Sequence, residues 1–180
     1  MKKILVTGLF CLSLLIPSSC SEETETDTAN DRSGLFEGTW QVASYLVTGR
    51  TTTLVFDEPS TRQFEGIGAD FNAFNYVFSE DGSFDVSGTY IFTLRVTDED
   101  GQTTTQGSQV SVNQNGSWMR NGNRITITDQ EETYDIVITL LTDTRLEFIR
   151  NISEDVIIQE NNSSTTTSGT EEFILFRVGQ

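Results

Sequence analysis

The stretch FDVSGTYIFTLRVT, residues 84–97, alternates between apolar and polar side chains, and Ile91 is the only exception. Successive side chains of a β-strand point to opposite faces of a sheet, so this pattern predicts a strand with one buried face. A strand of this length requires curvature, and Gly88 is a suitable position for a bend or a bulge.

The same two-residue period recurs from Glu37 onward, and we identify no helical stripe. Trp40, Val42 and Leu46 fall on one face of the first such segment, at residues 39–48. Further strands are predicted at residues 54–56, 74–78, 84–97, 110–112, 117–120, 125–127, 134–140, 146–150, 156–158 and 173–178. Longer loops are expected at residues 57–72 and 161–170.

Turn-forming residues such as Gly82 and Gly122 separate these strands at short intervals. Short strands joined by tight turns are typical of all-β sandwiches and barrels. We predict an all-β fold, an antiparallel up-and-down β-barrel of about eight to ten strands, because a closed barrel has no exposed edges. A β-sandwich is the alternative.

The N-terminus begins with Lys2 and Lys3, and a short apolar run then leads to Cys20. This layout is typical of a secretory signal peptide and is too short for a permanent membrane span. The small residues before Cys20 resemble the lipobox of bacterial lipoproteins, in which the cysteine is acylated after cleavage. We expect residues 1–19 to be a lipoprotein signal peptide and Cys20 to be the lipidated residue, carrying palmitate or a related acyl chain.

Residues 20–36 are rich in acidic and small polar side chains, and we expect them to form an acidic flexible tether. They resemble the export signal of surface-exposed lipoproteins of the Bacteroidetes, and a plain spacer is the alternative. Asp27-Thr28-Ala29 resembles the O-glycosylation site of that group, which makes Thr28 a candidate modified residue. The expected location is the bacterial outer membrane, with the lipid anchor holding the protein on the periplasmic side or at the cell surface.

The composition argues against several functions. The 180 residues contain no histidine, which removes the commonest general base and the commonest metal ligand. A formal net charge of −16 disfavours binding to nucleic acid. Without Cys11, which lies in the signal peptide, and with Cys20 lipidated, no thiol is left for a disulfide or a nucleophile. We therefore predict no enzymatic activity, no catalytic residues, no metal and no cofactor.

Gly38-Thr39-Trp40, at the start of the first strand, resembles the Gly-x-Trp signature of lipocalins. Residues 78–84, 115–118, 121–128 and 141–148 are similar to lipocalin-like domains on lipoproteins of the Bacteroidetes, and the resemblance covers about residues 35–180. It implies a calycin-like barrel domain at residues 37–180. In such a barrel Trp40 would close the base, with Arg177 of the last strand stacked across it, so Gly38, Trp40 and Arg177 are the candidate base lock.

The resemblance also implies that the barrel binds or carries a small hydrophobic or amphipathic ligand. The candidate cavity residues are the aromatic side chains Tyr76, Phe78, Tyr90, Phe92, Trp118 and Tyr134. Plain core packing of these aromatics is the alternative. For the whole protein the alternative is a non-catalytic cell-envelope module that binds a polysaccharide, an envelope protein or a host surface through the two expected loops.

Substitution Cys20→Ser tests the lipid anchor. The variant is expected to lose acyl labelling and to leave the membrane fraction, because a serine cannot be lipidated at this position. The measurement is metabolic acyl labelling combined with fractionation of cells, and the wild-type chain is the control. Unchanged membrane association of the variant would reject the lipoprotein assignment.

Overall fold

The computed structural model describes residues 34–56, 58–130, 132–158 and 163–179. The signal peptide, Cys20, Thr28 and most of the expected tether lie outside these residues, so the expectations for them stay predictions. The strands are β1 (Gly38–Val55), β2 (Glu58–Phe78), β3 (Ser83–Thr97), β4 (Thr103–Asn121), β5 (Arg124–Thr128), β6 (Thr133–Leu141), β7 (Arg145–Ile158) and β8 (Ser163–Arg177).

The eight strands form a closed antiparallel ring in chain order. Strand β1 pairs with β2 on one side and with β8 on the other, so that Tyr45 lies opposite Gly68 and also opposite Phe173. The predicted all-β up-and-down barrel is therefore confirmed. The alternative of a β-sandwich is wrong, because the first and last strands join in a single sheet.

The strands are longer than the sequence pattern predicted. The loop expected at residues 57–72 is wrong, since residues 58–72 belong to β2, which has 21 residues. The segments at residues 110–112 and 117–120 are parts of β4, and those at residues 146–150 and 156–158 are parts of β7. Polar stretches with few apolar residues thus continue as paired strand between the short apolar pieces.

The loop expected at residues 161–170 is also wrong for residues 163–170, which lie in β8. The branched side chains of threonine favour extended backbone, and here they also pair across strands. The hydroxyl of Thr51 lies 3.2 Å from that of Thr167, and the hydroxyl of Thr53 lies 3.3 Å from that of Thr165. The Ser/Thr-rich run is therefore a strand whose polar side chains satisfy one another.

A bulge in β1 changes which residues face the core. The pairing shifts register between Val42 and Tyr45, and beyond this point Tyr45 and Val47 are buried. Leu46, predicted to share a face with Trp40 and Val42, lies on the opposite face. One extra residue in a strand reverses the inward and outward alternation, and the simple two-residue period does not reveal it.

A second irregularity lies in β2 between Ala69 and Asn75, where the pairing with β3 shifts register. Asp70 and Ala73 have positive φ angles of 52° and 47°. Opposite them, Gly88 has a φ of 139°, and a Cβ atom there would collide with the backbone of Phe74. Gly88 thus allows the two strands to approach where β2 bends.

The core is most tightly filled at one end of the barrel, by side chains that we call the base cluster. The rings of Phe36 and Phe78 have their centroids 4.2 Å apart, and the indole Nε1 of Trp40 donates a hydrogen bond to the carbonyl of Phe36 at 2.8 Å. Phe36, which the sequence analysis placed in the tether, is fully buried and belongs to the core. The members of the base cluster are Phe36, Trp40, Phe78, Phe84 and Trp118.

Arg177 covers the base cluster from outside. Its guanidinium carbon lies 4.1 Å from the ring centre of Trp40. Nη1 donates a hydrogen bond to the carbonyl of Glu37 at 2.7 Å, and Nη2 donates to the carbonyl of Leu35. A Cβ atom at Gly38 would collide with this guanidinium, so a glycine is required where the arginine crosses the chain. The arginine therefore ties the segment before β1 to the last strand.

Substitution Trp40→Ala tests the base cluster. Trp40 is fully buried, and its truncation is expected to lower the free energy of unfolding by about 3–5 kcal/mol. Chemical denaturation followed by circular dichroism measures the loss. Met119→Ala, at a side chain that is 68% exposed, is the control and should have little effect. Equal losses in the two variants would contradict a closing role for Trp40.

Candidate functional site

The barrel contains a cavity of about 230 Å³ on the inner side of the base cluster. Its wall is mainly aromatic, and all four tyrosines of the sequence contribute to it. Offset-stacked and edge-to-face contacts connect the rings, such as those between Tyr45 and Phe173 at 4.5 Å and between Phe74 and Tyr90 at 5.1 Å. The aromatic lining residues are Tyr45, Phe74, Tyr76, Tyr90, Tyr134, Phe148 and Phe173.

The cavity lies beside a gap in the barrel wall, which we call the notch. It arises because β5 and β6 are short: β5 has 5 residues and β6 has 9. Among the described strands, residues 103–116 of β4 pair only with β3, and residues 151–158 of β7 pair only with β8. Val112 and Gln114 of β4 and Arg150 of β7 line the cavity from the two sides of the notch.

Glycines allow further aromatic rings to lie against the sheet away from the base. A Cβ atom at Gly66 would collide with the ring of Phe92, and one at Gly49 would collide with the ring of Phe64. Phe92, a predicted cavity residue, stacks on Tyr45 at 5.8 Å and does not line the cavity. Phe92 instead packs behind Tyr45, which does line the cavity.

The other predicted cavity residues divide into two groups. Tyr76, Tyr90 and Tyr134 line the cavity. Phe78 and Trp118 belong to the base cluster, and Trp118 donates a hydrogen bond from Nε1 to a backbone carbonyl at 3.1 Å. These predicted aromatic side chains therefore face the interior of the barrel, but the position of each residue along the barrel axis decides whether it belongs to the base cluster or to the cavity wall.

Several lining residues were not identified from the sequence. Tyr45 was missed because the β1 bulge reverses its face. Arg150 and Glu171 were missed because charged side chains are rarely buried. A signal for them exists, since Arg150 follows Leu146 and Phe148 at two-residue intervals and so falls on an inward row of β7. Glu171 falls on the inward row of β8 by the same spacing.

Five residues form a polar cluster at one side of the cavity. The hydroxyl of Tyr45 donates to Oε1 of Glu171 at 2.7 Å. Arg150 donates from Nη2 to Oε1 of Glu132 at 2.6 Å, and its guanidinium carbon lies 4.0 Å from the ring centre of Tyr134. Nε of Arg150 lies 3.6 Å from Oε2 of Glu171, which is too long for a hydrogen bond.

Burial raises the pKa of every tyrosine in the cavity. The pKa of Tyr134 rises to about 12, although the positive charge of Arg150 lowers it in part. Burial raises the pKa of Tyr45 and of Tyr76 well above the ordinary value, and the negative charge of Glu171 adds to the rise in both. The pKa of Tyr90 also rises, first by burial and then through Glu171. All four hydroxyls therefore stay protonated at neutral pH.

Three of these hydroxyls are open to a ligand. Among the described residues, no hydrogen bond to a protein group is found for the hydroxyl of Tyr76, Tyr90 or Tyr134, and none of the three oxygens is a fully buried atom without a partner, so each is accessible from the cavity. A phenol can both donate and accept a hydrogen bond. The cavity thus combines flat apolar rings with a small number of polar atoms, an arrangement typical of small-molecule sites.

Comparisons with protein-family models, with curated proteins and with solved structures gave no match. Within the described ranges, no cluster of acidic, histidine or cysteine side chains is suited to hold a metal ion. None of the described segments forms a helix with the length and apolarity that crossing a membrane requires. The geometry of the cavity therefore carries the functional argument.

A pH titration tests the burial of the tyrosines. Because their pKa values are raised in the folded state, the protein should be most stable below pH 10 and should lose stability as the pH rises from about 10 towards 12. Phenolate absorbance at 295 nm measures ionisation, and the thermal midpoint measures stability. We expect no tyrosine to ionise near pH 10 in the folded protein. A tyrosine that ionises at its ordinary pKa before unfolding would contradict the described cavity.

Proposed function

We propose that this protein is a lipid-anchored barrel that binds a small amphipathic molecule in the tyrosine-lined cavity. The observation that carries the proposal is a partly enclosed aromatic cavity whose wall includes three tyrosine hydroxyls that form no hydrogen bond with the described part of the chain. Hydroxyls of this kind suit a ligand with polar groups of its own, since a ligand that covered them without forming hydrogen bonds would leave them buried and unpaired, which is unfavourable.

The cavity volume limits the size of the ligand. About 230 Å³ is below the range of roughly 300–1,000 Å³ for sites of drug-sized molecules. A compound with one ring or a short alkyl body fits this space, whereas a long-chain lipid does not. Phe148 and Phe173 stack on each other with their centroids 4.9 Å apart, and the aromatic wall that they help to form favours a ligand with a compact apolar part.

The anchor belongs to the same proposal and is supported by the sequence around Cys20. The described chain begins at Gly34, whose N–H donates a hydrogen bond to the carbonyl of Leu141 at 3.3 Å. Leu141 is fully buried, and it lies at the end of β6 close to the turn that carries Asp143 under Arg177. The chain therefore enters the barrel at the base end, and the notch lies further along the barrel, where a ligand can reach it.

Binding is tested with three compounds that share a phenyl ring and a two-carbon linker: 2-phenylethanol, 3-phenylpropionate and phenethylammonium. Titration of the isotope-labelled protein, followed by NMR, is expected to shift the amide signals of Tyr90, Phe148 and Phe173 with at least one compound. Val112→Trp should abolish these shifts because the larger side chain occupies the cavity. Ser111→Trp, on the adjacent exposed position of the same strand, is the control. Binding by none of the three compounds would overturn the proposal.

A second candidate function, an interaction module of the cell envelope, is favoured by the notch. Within the described ranges, residues 103–116 and 151–158 each pair with a strand on one side only, and an extended peptide of a partner protein could add a strand at the other side. Amide hydrogen exchange tests this candidate. Slower exchange of these edges in native membranes than in the purified protein would support it, and equal exchange would argue against it.

A further inference from the structure

The electrostatic character of the cavity indicates which ligands it selects. Glu171 lies among the aromatic rings, and its side chain is only 17% exposed. Tyr45 occupies one carboxylate oxygen, Oε1, at 2.7 Å. For the other oxygen, Oε2, the nearest cationic nitrogen in the described part of the chain is Nε of Arg150, at 3.6 Å. A hydrogen-bond acceptor with negative charge is therefore open to a donor at the cavity wall.

Arg150 does not make the site suitable for an anion. Its guanidinium forms an ion pair with Glu132 at 2.6 Å and faces Glu171. The guanidinium carbon also lies 4.0 Å from the ring centre of Tyr134. Two carboxylates thus surround one guanidinium, which gives the polar cluster a net negative charge. An incoming carboxylate or phosphate at this guanidinium would have to lie close to both carboxylates, which repel it.

The aromatic wall also favours a cation over an anion. The face of a tyrosine or phenylalanine ring attracts a cation within about 6 Å of its centroid, and the attraction grows when water is excluded. Tyr76 and Tyr90 line the cavity together with Glu171, and Arg150 over Tyr134 already shows one cation against a tyrosine ring. The net charge of −16 also raises the local concentration of cations around the protein.

We infer that the ligand is an organic cation, a small ammonium ion with a compact aromatic or alkyl body. This inference rests on the proposed function. The ammonium group would donate a hydrogen bond to Oε2 of Glu171 and lie against the tyrosine faces. The apolar body would pack against the phenylalanine side chains of the wall, and the hydroxyls of Tyr76 and Tyr90 would accept from remaining N–H donors. Fixed negative charge at the wall also lowers the affinity for anions of the same shape.

Affinities of the same three phenyl compounds, measured by isothermal titration calorimetry at neutral pH, test this inference. Phenethylammonium is the cation, 2-phenylethanol the neutral analogue and 3-phenylpropionate the anion. We expect the cation to bind at least about tenfold more tightly than the neutral analogue. A desolvated cation on an aromatic face is stabilised by an amount that corresponds to about a tenfold gain in affinity. The anion should bind most weakly.

Glu171→Gln should remove most of this preference while keeping the shape of the side chain, since the amide oxygen can still accept from Tyr45. Glu172→Gln is the matched control, because it makes the same charge change at the next, exposed position of β8. Its affinity for the cation should stay within about twofold of wild type, as expected for an exposed charge that is screened by salt. Thermal melting of each variant verifies that it is folded.

Arg150→Gln gives a second and independent test. Removal of the competing guanidinium should strengthen binding of the cation, whereas a site in which Arg150 receives an anion would lose binding. Equal or tighter binding of the neutral compound or the anion by wild type would overturn the inference and leave the proposed function standing. Binding of none of the three would overturn both.

Discussion

The barrel depends on the contact between Trp40 and Arg177, since it joins the two ends of the described chain across the closing strand pair. Trp40 lies opposite Arg177 in the pairing of β1 with β8, and the guanidinium covers the indole at 4.1 Å. The indole N–H is satisfied by the carbonyl of Phe36, which brings that ring into the core. A cation on an indole face and a satisfied buried donor each stabilise the same end of the ring.

The closed base explains why the cavity lies where it does. Large rings such as Phe78 and Phe84 fill the base, while Phe64 and Phe92 lie flat over glycines further from it. An eight-stranded ring has an interior that side chains can just fill or that can hold one small ligand. Between the base cluster and these rings, tyrosines form much of the cavity wall, and the short β5 leaves the cavity accessible.

The sequence predicted the ring and many of its inward side chains, because alternation over residues 84–97 is a local property of one strand. It did not predict the bulge after Val42, since an extra residue depends on the pairing of two neighbouring strands. Tyr45 was therefore not among the predicted cavity residues. Continuation of β8 through residues 163–170 was missed for a similar reason: it depends on pairing with β1, which lies more than a hundred positions away, and on hydroxyl contacts across that pair.

The charged groups of the cavity are better explained by recognition than by stability. A buried ion pair loses much of its attraction to desolvation, and apolar side chains of similar volume often stabilise a core equally well or better. The distance between Nε of Arg150 and Oε2 of Glu171 is also long, at 3.6 Å. The attraction between the two charges therefore offsets little of the hydration energy that both groups lose on folding. The remaining phenylalanines show that apolar residues fit this wall. A carboxylate with one oxygen held by Tyr45 and the other open is instead what a site needs to position a ligand's donor.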